Sequence, residues 1–140
     1  MSLKKAATIL LAIVAVVLAG LGVESLVRRN IERKHQALYN TILREYSAEL
    51  QPGTPRKDVE QLLRTKGQSF QQTCCLLNTN RSTFEDLVKI GSEPAPWYCS
   101  EDDVYLVFEF YSPAHAGMPI AQPSDSLKRI AVSPWLQGCL

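Results

Sequence analysis

The stretch Val104-Tyr105-Leu106-Val107-Phe108-Glu109-Phe110-Tyr111 decides the fold. Val104, Leu106, Phe108 and Phe110 alternate with Tyr105, Val107, Glu109 and Tyr111. Alternation of β-branched and aromatic residues with a period of two reads as a strand with one face turned to a core. The matching partner is Leu127 to Ser133, ended by Pro134. Opposed residues of an antiparallel pair have a constant sum of numbers. Setting Phe108 opposite Ile130 puts Leu106 opposite Val132 on the inward face. Glu109 then meets Arg129 on the outward face, an exposed cross-strand ion pair worth about 0.2–1 kcal/mol. The same sum puts Cys99 opposite Cys139, so the register predicts a disulfide between them. Pro113 to Ser124, with three prolines and one glycine, reads as the long loop between the two strands.

Towards the N-terminus the signals change. Ser82 to Gly91 fits two elements. Ser82-Thr83-Phe84-Glu85 has the form of a helical capping box, while Phe84, Val88 and Ile90 fit a strand, which is the reading preferred. Glu93-Pro94-Ala95-Pro96 is a loop, and Glu101-Asp102-Asp103 an acidic turn. Ser69 to Leu77 is read as a further strand. Gln51-Pro52-Gly53 breaks the chain; Thr54 reads as an N-cap with Pro55 at the first helical position. Val59, Leu62 and Leu63 form the buried face of that short helix, and Gly67 stops it.

Glu24 to Leu50 has helical periodicity. Val27, Ile31, Leu38, Ile42 and Tyr46 form a stripe with Leu43 and Leu50 on its flank. The stripe either packs on its own domain or pairs with a partner protein. Arg28, Arg29, Arg33 and Lys34 would suit anionic lipid headgroups, or simply form a solvated face. Before this helix lies Ala6 to Val23, eighteen residues without a charge. About that many apolar residues cross a bilayer as a helix. Two readings stay open. Val17-Leu18-Ala19 before Gly20 resembles a signal-peptidase site, but the run exceeds the usual signal core and continues into helix, so an uncleaved anchor is preferred. The basic residues after the run would draw the domain inward; four cysteines in a short chain fit an oxidising compartment and draw it outward. The outward topology is the one expected.

The whole is an α+β chain: a transmembrane helix (1–24), an amphipathic juxtamembrane helix (25–50), and a domain (51–140) with one short helix and a three- or four-stranded antiparallel sheet. A chain of 140 residues holds one such domain. A formal net charge of +1 argues against nucleic acid as a partner. Membrane lipid around residues 6–23 and other envelope proteins are the expected partners.

No residue pattern points to catalysis. Glycine-rich phosphate loops, nucleophile elbows and H-E-x-x-H are missing, and no small-molecule substrate or cofactor is indicated. Cys74-Cys75 lacks the spacing and histidine partners of a zinc site. The two would stay free, pair with each other or pair with another chain, and redox chemistry stays open for them. Glu101-Asp102-Asp103 offers too few oxygens for calcium, so no metal is expected. His35 and His115 have no acidic or nucleophilic neighbours that would make them ligands or bases. Trp97, Tyr98 and Trp135 flank the ends of the sheet; they serve as lids on the core or face a partner.

The stretch Gln51 to Leu63 resembles the helix start of BamE-like domains, small outer-membrane lipoproteins of bacterial envelopes, with Gly53, Thr54, Val59, Leu62 and Leu63 on the matching positions. The order of helices and antiparallel strands is similar too. The chain departs from that family in having Leu21 where a lipidated cysteine would stand, and in longer loops. The resemblance implies a non-enzymatic envelope scaffold that binds other proteins, and it carries over no catalytic residue. A pilin-like assembly subunit is the alternative architecture, although Leu3-Lys4-Lys5-Ala6-Ala7-Thr8 lacks the G-F-x-x-x-E processing signature. A small exported enzyme is the third.

Overall fold

A computed structural model describes residues 3–74, 76–77, 83–111 and 121–140, and the side chains of these except at 3–17, 19, 21 and 83. The elements in order are α1 (Leu3–Glu49), α2 (Arg56–Thr65), β1 (Gln71–Cys74), β2 (Thr83–Glu93), β3 (Glu101–Tyr111) and β4 (Ser126–Gln137). The strands form one antiparallel sheet in the order β1-β2-β3-β4. The chain is therefore α+β, and Thr83–Glu93 is a strand rather than a capped helix.

The chain divides into two units, Met1–Leu38 and Tyr39–Leu140. In the first, α1 runs from Leu3 without a break. Most side chains of the Ala6 to Val23 run lie outside the described residues. Among those described, no helix is long and apolar enough to cross a membrane. Val27, Ile31 and Leu38, expected on a packed stripe, are 48–53% exposed. The second unit begins one residue later, at Tyr39, which is buried.

In the second unit β3 is the central strand. The register is the one set by Phe108↔Ile130, Leu106↔Val132 and Glu109↔Arg129. A bulge follows: Phe110 pairs with Leu127, so Lys128 is the extra residue of β4. Pro134 does not end the last strand. It pairs with Val104, and β4 continues to Gln137. β4 is an edge strand, where a residue without an N–H is tolerated.

One sheet face carries Val88, Leu106, Phe108, Phe110 and Leu127 against Tyr46 and Leu50 of α1 and Val59 and Leu63 of α2. The opposite face was expected in water. Instead Leu87, Tyr105 and Val107 are buried beneath Leu76, Leu77 and Trp135. Glu109 lies on that face and is fully buried, so its contact with Arg129 is not an exposed pair. The covering is local: the amides of Leu76 and Leu77 donate to the buried carboxylate of Glu85 at 2.7 and 2.9 Å, which holds the segment after β1 over the sheet.

Two ends of α2 differ in how the sequence encodes them. Thr54 does not cap it. Its hydroxyl turns back to donate to the Gln51 carbonyl at 2.7 Å, and Pro55 occupies the N-cap position without a side-chain bond. The C-terminal end is as read: Gly67 has φ +69°, its N–H donates to Arg64, and Gln68 donates to Leu63. This is a Schellman closure, which requires the left-handed residue glycine provides. Gly53 and Thr54 exchange backbone hydrogen bonds with Leu127 at 2.7 and 2.8 Å, fixing the helix start to β4.

Candidate functional site

The chain reverses between β2 and β3 through Pro94-Ala95-Pro96-Trp97-Tyr98-Cys99-Ser100. Proline fixes φ and donates no hydrogen bond, so two prolines hold the first half of this turn away from any ladder. The second half is tied down. The Cys99 N–H donates to Pro96 at 2.9 Å, and the Ser100 N–H and hydroxyl both donate to Gln137, at 3.0 and 3.1 Å. The Leu140 N–H donates to Tyr98 at 2.9 Å. A disulfide links Cys99 to Cys139 across a sequence separation of 40 residues. This is the pairing the strand register predicts. Gly138 has φ +60°, and a Cβ there would strike the Ser100 hydroxyl.

On this pinned tip Trp97 is 91% exposed and meets Tyr98 edge-on, with ring centres 5.8 Å apart. Tyr98 and Leu136 are each more than two-fifths exposed, and Leu140 is fully exposed. Large side chains held out on a stiff frame are unusual, because burial of an indole is strongly favourable. Trp135, the third aromatic residue singled out in the sequence, is placed differently. It is half-buried, 5.7 Å from the Tyr105 ring, as a lid on the second sheet face.

Carboxylates crowd the β2–β3 end next to the tip, with Lys89 among them. No lysine or arginine occurs from Ile90 to Leu127 or from Ile130 to Leu140. Glu93 stands opposite Asp102 and Ser92 opposite Asp103 on the β2–β3 ladder. The acidic run Glu101-Asp102-Asp103 is thus the start of β3 rather than a turn. Asp103 accepts from Lys89 and Ser92, both at 2.7 Å, and these bonds hold its pKa low. Asp102 is different: burial, then Glu93 and Asp103 beside it, push its pKa up, and its Oδ1 is enclosed without a hydrogen-bond partner among the described residues. Tyr39 donates to Glu93 at 2.9 Å, and burial together with that carboxylate pushes the phenol up to about 12. Neither Glu101 nor Asp102 has an ion-pair partner among the described residues.

Other polar groups are consumed by the fold. Arg56, 1% exposed, lies against Asp86, with Nε–Oδ2 at 3.2 Å and a second contact from Nη2 to Oδ1. Glu60 and Asp125 approach the same guanidinium at 3.3 and 3.7 Å, and the Phe110 ring stacks beneath it at 4.8 Å. Sequence reasoning missed this cluster. The available signal was Glu85-Asp86 inside a strand pattern, since charges in a central strand are buried only with partners. An open groove of about 530 Å³ is lined by Ile42, Tyr46, Val88, Ile90, Lys66 and Lys89 among others. Both its amines are engaged, Lys66 by Glu45 and Glu49 and Lys89 by Asp103. Among the described residues no group of His, Cys, Asp and Glu is arranged to hold a metal ion. Cys74 is exposed and disulfide-bonded, so it is not free. Cys75 and His115 lie outside the described residues.

The tip therefore offers an aromatic and aliphatic surface bordered by carboxylates, with no proton-transfer pair and no nucleophile at its centre. No family model, characterised protein or solved structure matches the chain.

Proposed function

We propose that this chain is a single-pass, membrane-anchored envelope protein whose folded unit acts as a non-enzymatic scaffold, binding other proteins through the Trp97–Tyr98 tip. The observation that carries the reading is Trp97, 91% exposed on a turn pinned by the Cys99–Cys139 disulfide. Exposed aromatic anchors on rigid frames are what protein interfaces use, because little entropy is lost when they are covered. The disulfide fits a domain on the non-cytoplasmic side. The uncharged Ala6 to Val23 run supports the anchor, and the resemblance of Gln51 to Leu63 to BamE-like domains points to the same kind of scaffold.

Thiol labelling from each side of the membrane tests the topology. The domain's cysteines should resist labelling without reductant and become reactive to an outside reagent with it; labelling from the cytoplasmic side alone removes the envelope assignment. A photo-crosslinker at position 97 should capture membrane-associated proteins. One observation favours the pilin-like alternative: α1 is a single helix from Leu3 to Glu49, joining the uncharged run to the sheet domain. An intact N-terminus by mass spectrometry separates the two, since a pilin would be processed.

A further inference from the structure

We infer that Cys74 and Cys75 close a disulfide ring between neighbouring residues, and that this ring is a redox-sensitive latch on the cover of the second sheet face, opened by an external dithiol. The latch does not depend on the Trp97–Tyr98 tip or on its partner.

The pairing follows by elimination. Cys99 and Cys139 hold each other, and Cys74 is disulfide-bonded. The chain has four cysteines, so Cys75 is the one left for Cys74 within the same chain. Cys74 is exposed, and it is the last residue of β1, paired with Phe84 where the ladder with β2 ends.

The residues after the pair give it a task. Thr73 lies opposite Glu85 on the ladder. A strand that continued straight would carry Leu76 about 10 Å past that point. Instead the Leu76 and Leu77 amides donate to the Glu85 carboxylate at 2.7 and 2.9 Å. The chain therefore turns back over its own sheet between Cys74 and Leu76. A ring that joins the side chains of adjacent residues encloses their peptide unit and restricts the torsions on either side of it, so less freedom is lost when the reversal forms. Leu76 and Leu77 in turn pack on Leu87, Tyr105 and Val107. Glu85 is fully buried, and a buried carboxylate deprived of its donors is costly. The two amides and the two leucines thus leave the sheet together or stay together. The cover has a closed state and an open one, and in the open one Leu87, Tyr105 and Val107 face water.

Opening is a thiol–disulfide exchange with a dithiol as the reductant. One thiolate of the dithiol attacks a ring sulfur. The S–S bond breaks, a mixed disulfide forms, and the other ring sulfur leaves as a thiolate and takes up a proton. The second thiol of the reductant gives up its proton and displaces the mixed disulfide. The reductant ends as a disulfide and Cys74 and Cys75 as two thiols, with two electrons and two protons transferred. Exposed disulfides are the ones open to such exchange.

The test uses the oxidised full chain in phosphatidylcholine nanodiscs. Tryptic cleavage leaves Gly67 to Arg81 as one peptide, which holds Cys74 and Cys75 and no other cysteine. Without reductant it should run unlinked and two hydrogens lighter than after dithiothreitol. Hydrogen exchange then reads the cover. In the parent, dithiothreitol should speed exchange at Leu76 and Leu77 by about tenfold or more, with little change at Leu106 and Phe108 in β3. A chain carrying Cys74→Ser and Cys75→Ser should show the fast exchange before reductant and no further change at these two amides after it. Cys99–Cys139 meets the same reductant in both chains, so the difference between them belongs to the pair at 74 and 75. Any of four results overturns the latch. The peptide could be linked to Cys99, Cys139 or a second copy, or could carry free thiols. Leu76 and Leu77 could exchange at one rate with the pair open or closed. Opening could instead speed exchange in β3 as well, which would make the ring a staple of the whole domain.

Discussion

Replacing Arg56 with methionine should destabilise the sheet domain, and more at pH 7 than at pH 5. The side chain is 1% exposed and faces Asp86, itself fully buried, and Asp125, 1% exposed. Methionine keeps much of the apolar length over Phe110 but leaves two buried carboxylates without their cation. Breaking a buried pair by removing one partner costs about 3–5 kcal/mol where the stranded charge cannot be neutralised. Asp86 can be neutralised: burial pushes its pKa up to about 6, although Arg56 pulls it down. Taking up a proton one unit above that pKa costs about 1.4 kcal/mol at pH 7 and almost nothing at pH 5. Asp86 therefore accounts for about 1.5 kcal/mol of the loss at pH 7 and for almost none at pH 5, with the stranded Asp125 adding to it, out of roughly 5–15 kcal/mol for a whole domain. Adding Asp86→Leu should restore much of it, because an apolar pair in place of a buried ion pair is often neutral or better. Urea unfolding followed by circular dichroism at the two pH values gives all three quantities. A loss below about 1 kcal/mol at pH 7, or one that does not shrink on acidification, would show that Asp86 is not held in the interior by Arg56.

Four single-site variants extend the test. Asp86 and Glu109 should tilt the pH profile in opposite directions. With its folded pKa near 6 and the unfolded value near 3.8, native Asp86 binds a proton the unfolded chain has lost. Its contribution to stability thus grows as pH falls from about 6 to about 4, and Asp86→Asn should abolish that rise. Burial by itself would raise Glu109, but the hydrogen bonds from Lys128 and Arg129 overcome it and hold the pKa low. Its contribution is present above the unfolded value near 4.5 and lost below it, so Glu109→Gln should flatten the acid limb of unfolding midpoints. Opening the disulfide by Cys139→Ser should cost about 4 kcal/mol on the chain-entropy argument for a loop of this length; equal midpoints with and without reductant in the parent would contradict it. Gly91→Ala should cost about 1–3 kcal/mol, because its Cβ would sit 2.5 Å from the Tyr39 hydroxyl and displace the phenol from Glu93; an unchanged tyrosine absorbance titration near pH 12 would show that the ring had not moved.

The sequence made the β3–β4 register legible because three independent preferences agreed: apolar facing apolar, Glu109 facing Arg129, and Cys99 facing Cys139. Each alone is weak; together they exclude a one-residue slip, which would turn every side chain over. What the sequence did not disclose was the second layer. Period-two alternation separates two faces but does not say whether the second meets water. Tyr105, Val107 and Glu109 are buried because Leu76 and Leu77 are drawn over them by Glu85, a contact between residues eight and nine apart that no periodicity encodes. The helical stripe shows a related limit. Val27, Ile31 and Leu38 have the spacing of a packed face, yet each is about half exposed. Spacing reports which residues share a face and is silent about what lies opposite. At the tip, Trp97 and Tyr98 were identifiable as aromatic residues next to a proline-rich turn. Their exposure, and the separation of Trp135 from them, depended on which side of the turn the disulfide closes.

Formal charge is a poor guide to what this protein shows its surroundings. The chain carries 15 basic and 14 acidic side chains, and its net charge of +1 suggests an evenly mixed surface. Five of the carboxylates, Glu85, Asp86, Asp103, Glu109 and Asp125, are buried and bonded to amides, hydroxyls or cations of the same domain. They are spent on the fold and offer little to a partner. Arg56 is spent the same way. Cations are spent on the fold as well: Lys89 is held by Asp103, Lys66 by Glu45 and Glu49, and Lys128 and Arg129 by Glu109. Composition therefore counts charges that the folded domain has already paired, and the charge open to a partner is set by the exposed groups outside these pairs.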